Sequence, residues 1–269
     1  MEILSNFLYQ ILFTVGVIFV FGLLIALGRR WFCSMLGYGG YKFILATGFI
    51  GTPIHELSHA LMCLVFGHKI TEIKLFQLHS DDGTLGYVNH SYNPKNIYHQ
   101  IGNFFIGIAP IVVGSAFLFL FMRLLTPSTF NSVISEINAF NALSHGTFDL
   151  THILELFVNI LGSIFRLENF GNFLWWIFVV LAIMISSHME LSGADIKGSV
   201  VVVLVFAGLF LVVDVILGLI STPALLGFTA TISSVGLTVA SFLVISLVFT
   251  AIMLAGALII KIIGRILGR

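Results

Sequence analysis

Long apolar runs leave a chain few ways to fold. Six stretches, at residues 7–28, 43–67, 102–125, 173–187, 199–220 and 233–260, approach or exceed the ~20 residues that a helix needs to cross a bilayer. A backbone in hydrocarbon must pair its own N–H and C=O groups, which restricts spanning segments to helices and closed barrels, and these runs lack the alternation of a barrel strand. With 58% of its residues hydrophobic and 9% charged, the chain is not an ordinary soluble domain. The expectation is an all-α polytopic membrane protein of about six transmembrane helices, forming a single domain over residues 1–269 with its core at 43–220.

The charge pattern excludes one class of partner. Formal net charge is zero and no Lys/Arg cluster stands out, so nucleic acid has no electrostatic foothold. Cys33 and Cys63 are too few and too far apart for a disulfide framework or a cysteine-based zinc site, and read as reduced packing residues. The first run starts beside an acidic residue, Glu2, without a small-residue cleavage pattern after it, so it reads as a retained span rather than a signal peptide.

The second run carries the chemistry. Within Gly51-Thr52-Pro53-Ile54-His55-Glu56-Leu57-Ser58-His59-Ala60 lies a His-Glu-x-x-His motif. Positions four apart share a helix face, so His55 and His59 can offer two imidazole nitrogens to one metal while Glu56 stands beside it as a general base. That is the pattern of a zinc peptidase. Such groups are expensive in hydrocarbon and are tolerated where they face a bundle interior or a polar cavity.

Between the second and third runs, residues 70–78 alternate apolar and polar, and 84–89 follow the turn signal Ser80-Asp81-Asp82-Gly83. This predicts a β-hairpin. His68, His79, His90 and His99 fall in this connector or at helix ends and read as exposed loop histidines. Residues 126–172 form the longest stretch outside the runs; Asp149 reads as an N-cap before an apolar face that begins at Leu150, which fits a helix lying in the interface or folded back over the bundle as a lid-like cover. A catalytic zinc also needs a third protein ligand, for which the later runs offer His188, Glu190, Asp195 and Asp214. His188 lies on the face of Asp195 if the fourth helix continues through Glu190, and could alternatively stabilise an oxyanion.

Residues 53–66, then Gly67-His68-Lys69-Ile70-Thr71-Glu72-Ile73-Lys74-Leu75-Phe76, then 83–88 and Ile106-Gly107-Ile108-Ala109-Pro110, resemble the intramembrane zinc proteases of the site-2 protease family. The resemblance covers 43–125 in detail and the rest in outline. It implies a motif helix followed by a β-hairpin and a helix entered through a Gly-Pro segment. It also implies that an Asp near a later helix completes the zinc site. Ala194-Asp195-Ile196-Lys197-Gly198 is the nearest match, although no Asn-x-x-Pro precedes Asp195 and neither Leu nor Gly adjoins it. The implied set is therefore zinc on His55, His59 and Asp195, with Glu56 catalytic. The implied substrate is a transmembrane protein or peptide cut in or near lipid, and the resemblance agrees with both termini being cytosolic; a short chain with no appended domains reads as a multi-pass protein of a prokaryotic cell membrane. The alternative is a non-proteolytic metal-binding transporter, or a protease-like scaffold, that uses the same groups as an ion site.

Overall fold

The computed structural model describes residues 2–78, 83–144 and 150–267. The turn residues Ser80, Asp81 and Asp82, together with His79 and the N-cap assigned to Asp149, lie outside this set. The chain is a helical membrane protein, with one two-stranded sheet among the described residues. Helices α1 (Glu2–Ile11) and α2 (Val17–Leu36) run on through a π-helical turn at Leu12–Gly16. Then follow α3 (Tyr38–Val65), strands β1 (Lys69–Lys74) and β2 (Tyr87–Ser91), α4 (Ile97–Leu125), α5 (Pro127–Ser144), α6 (Leu150–Ile164), α7 (Phe173–Ser186), α8 (Gly193–Ile220) and α9 (Thr222–Ile266).

Among the described residues, five helical stretches are long and apolar enough to cross a membrane: Ile3–Leu36, Ile97–Leu125, Leu150–Gly171, Asp195–Ile220 and Thr222–Ile266. Two of the six expected runs are not in this set. The motif helix α3 has the length, at 28 residues, but His55, Glu56 and His59 dilute its apolar character. The 14-residue α7 is too short by itself, and it does not continue through Glu190 as expected. The chain turns at Ser187 and His188, where the His188 carbonyl is taken by a side chain of α3 rather than by a following helical turn. Conversely, Leu150–Gly171 gains span length through a 3-10 turn at Leu167–Gly171.

Capping residues fix where several helices begin. Asn96, Asn172, Ser192 and Ser221 each accept a hydrogen bond from a first-turn amide of α4, α7, α8 and α9 respectively. The expected hairpin forms as an antiparallel pair, with Ile70 opposite His90 and Lys74 opposite Tyr87. In the packing, α2 lies along α9, α3 along α4, and α4 along α8. The core has Trp175, Phe178 and Phe249 at its centre, and the Phe178 and Phe249 rings meet edge to face at 5.6 Å. Among the described residues of 126–172, helices α5 and α6 pack on each other and on α9. Val133, Ile137, Leu156 and Ile160 are buried there, so this stretch belongs to the bundle.

Candidate metal centre

His55 and His59 stand one helical turn apart on α3, and their Nε2 atoms approach to 3.1 Å. Their other ring nitrogens explain how. His55 Nδ1 donates to the His188 carbonyl at 2.6 Å, and His59 Nδ1 donates to the Ile106 carbonyl at 2.7 Å. A carbonyl oxygen can only accept, so each Nδ1 carries the proton and each Nε2 presents a lone pair. Two lone pairs facing each other repel unless a cation sits between them. Two Zn–N bonds of about 2.0–2.1 Å at a tetrahedral angle place their nitrogens about 3.3 Å apart, close to what is seen. Backbone carbonyls that orient metal-binding imidazoles in this way are usual around zinc, so the donor chemistry fits the ion.

Glu56 is buried and faces the same cavity, which has a volume of about 540 Å³. Arg29 and Glu190, paired with each other, stand on its wall with His188 and Asp195. The segment leading into β2 passes close over the motif helix, because Gly86 has no side chain. A Cβ there would come within 2.7 Å of Thr52 Cγ2 and 2.8 Å of Glu56 Cγ. On the other side, a Cβ at Gly107 of α4 would stand 2.9 Å from the Asp195 carbonyl oxygen, so this glycine lets the start of α8 close on the cavity.

Of the candidates for the third ligand, His188, Glu190 and Asp195 line the cavity and Asp214 does not. His188 uses its carbonyl on His55, while its ring lies 3.1 Å from Thr47 Oγ1 and 3.4 Å from Thr52 Oγ1. Its carbonyl thus orients His55, and the residue also lines the cavity. Asp195 lines the cavity, and its carboxylate also forms a capping box: Oδ2 accepts the Ser192 amide at 2.8 Å while Ser192 Oγ accepts the Asp195 amide at 3.1 Å. Glu190 is held by Arg29. Asp214 is not among the cavity-lining residues and instead accepts from Gln10 at 2.7 Å, between α1 and α8.

No protein-family model matches this chain, and neither does a curated protein or a solved structure.

One cluster departs from the sequence reading. Among the described residues, the group of three metal-type donors whose ligating atoms all lie within 4.8 Å of one another is Cys63, His68 and His90. His68, expected to be an exposed loop residue, is 4% exposed. The cause is the turn that ends α3. Gly67 adopts φ 69°, which a residue with a side chain would resist, and His68 N–H returns to the Cys63 carbonyl at 2.8 Å. Gly102 of α4 then leaves room for the ring, since a Cβ there would meet His68 Nε2 at 2.9 Å. Burial keeps the His68 and His90 imidazoles below the ordinary histidine value, so both are neutral at pH 7. The signal available in the sequence was Cys-x-x-x-Gly-His at a helix end.

Proposed function

We propose that this chain is an intramembrane zinc metalloprotease of the site-2 protease kind, a multi-pass protein of a prokaryotic cell membrane that hydrolyses peptide bonds in or near transmembrane segments of other proteins. The observation that carries this reading is the pair of imidazoles, each held through Nδ1 by a backbone carbonyl, converging through Nε2 beside the buried Glu56.

His55, His59 and Asp195 would hold the zinc, which when bound supplies an electrophile that polarises both a water molecule and the scissile carbonyl. The Glu56 carboxylate takes a proton from the attacking water and passes it to the amide nitrogen as the C–N bond breaks. The His188 and Ile106 carbonyls keep the two imidazoles in the tautomer that the site needs. Gly86 and its neighbours line the cavity, and a substrate unwound from its helix would lie beside them as an added strand.

The test is Glu56→Gln in purified full-length protein, supplied with a polypeptide that contains one transmembrane segment in lipid vesicles. The expected result is unchanged zinc content with cleavage reduced by about 10²–10⁴-fold. Cleavage at the wild-type rate would remove this mechanism. If wild-type protein binds zinc and cuts no such polypeptide, the scaffold or transporter reading takes its place.

A further inference from the structure

A second set of donors lies at the root of the β-hairpin, and it contains sulfur, which the His-Glu-x-x-His site lacks. We infer that Cys63, His68 and His90 form a second metal site for a zinc-class divalent cation, one that clamps the end of the motif helix to β2.

Three independent structural features bring the donors together. The turn that closes α3 pairs its third-last helical residue with the second residue beyond the cap, through His68 N–H to Cys63 O at 2.8 Å and Gly67 N–H to Leu64 O at 3.3 Å. That pairing sets the Cys63 and His68 side chains side by side. The strand register then places His90 opposite Ile70, two residues beyond His68. Finally, His68 Nε2 donates to the His99 carbonyl at 2.8 Å, which leaves its Nδ1 as a lone pair facing His90 Nδ1 at 3.0 Å.

The surroundings suit a bound ion. Cys63 is fully buried, and Tyr92 stacks on the His68 ring at 4.9 Å, which keeps water from one side. The carbonyl on His68 Nε2 is the same kind of outer support that the motif histidines receive. One thiolate and two imidazoles favour zinc and its neighbours over magnesium or calcium, which take oxygen ligands. Binding displaces the Cys63 Sγ proton to solvent and leaves a fourth position for water. Because His90 also lines the cavity that holds Glu56, an ion here fixes the strand beside that cavity.

Cobalt(II) provides the test. The full-length protein carrying His55→Ala and His59→Ala, which silence the motif, is titrated with Co²⁺ in detergent. The expected result is a thiolate-to-cobalt charge-transfer band that saturates at one ion per chain and is suppressed by competing Zn²⁺. The chain has two cysteines, so Cys33→Ala should keep the band and Cys63→Ala should abolish it. His90→Ala, at a half-buried strand position, keeps the test open if Cys63→Ala does not fold, and should weaken Co²⁺ binding by at least about 10-fold. Absence of the band at saturating Co²⁺, its survival in Cys63→Ala, or an unchanged titration in His90→Ala overturns the inference and leaves an ordinary hydrogen bond from His90 to His68. Sulfur gives the readout, so failure of the motif as a protease site would not affect it.

Discussion

Whether an imidazole can bind metal depends on what its second nitrogen does. In His55 and His59 that nitrogen is tied to a carbonyl, whereas His188 has both ring nitrogens within reach of α3 threonines. His188→Ala keeps the backbone carbonyl that orients His55, so its zinc content, measured by mass spectrometry of purified protein, should equal that of wild type. A His188 that ligated the ion would lose zinc on this change. Substitution can separate the zinc role proposed for Asp195 from its helix cap. Ser192→Ala removes the cap, should cost about 1 kcal/mol of stability and should retain zinc. Asp195→Asn keeps a hydrogen-bond acceptor for the Ser192 amide and loses the charge, so it should lose zinc on dialysis while its unfolding free energy changes by less than about 1 kcal/mol.

At the scale of elements, the site exists because glycines let neighbouring elements close on the cavity. The hairpin comes over it at Gly86, and α4 admits the start of α8 at Gly107. Gly86→Ala would press a methyl group against Thr52, Glu56 and the Lys74 carbonyl, so the strand must shift away from the cavity. The expected outcome is about 1–3 kcal/mol of destabilisation in thermal unfolding, with cleavage falling while zinc content stays constant. The strands themselves were legible in part: alternation in residues 70–78 and 84–89 overlaps Lys69–Lys74 and Tyr87–Ser91. The end of α7 was not, because the sequence past Ser186 still reads as helix and only the competing bond from His55 to the His188 carbonyl shows why the chain turns. Nor was α5, whose low charge and several Asn and Ser residues read as a connector until its packing against α6 and α9 is seen.

For the whole molecule, the bundle also contains a buried polar group remote from the cavity. Gln10 and Asp214 are both 0% exposed, and the Gln10 amide donates to Asp214 and to Thr229, linking α1, α8 and α9. Gln10 Oε1 and Asp214 Oδ2 have no hydrogen-bond partner among the described residues. Such a group in an apolar bundle holds helices in register. Asp214→Asn should therefore leave zinc content and cleavage unchanged. Gln10→Leu, which strips Asp214 of its donor, should destabilise the fold by about 1–3 kcal/mol, read by thermal unfolding in detergent.

The sequence by itself determined what is local. Helix geometry fixes that residues four apart share a face, so the pairing of His55 with His59 follows from spacing alone. The apolar runs likewise determine helices, because an unpaired backbone in lipid has no alternative. The tertiary structure decided everything that depends on which elements meet. The His188 carbonyl holds His55, the Asp195 carboxylate closes a helix cap, and Cys63 and His68 at the end of α3 meet His90 of β2. The partner of a buried polar group is chosen by packing between segments distant in the chain. No window of sequence contains that information, even when, as at Cys63, Gly67 and His68, the turn that prepares the meeting is written there.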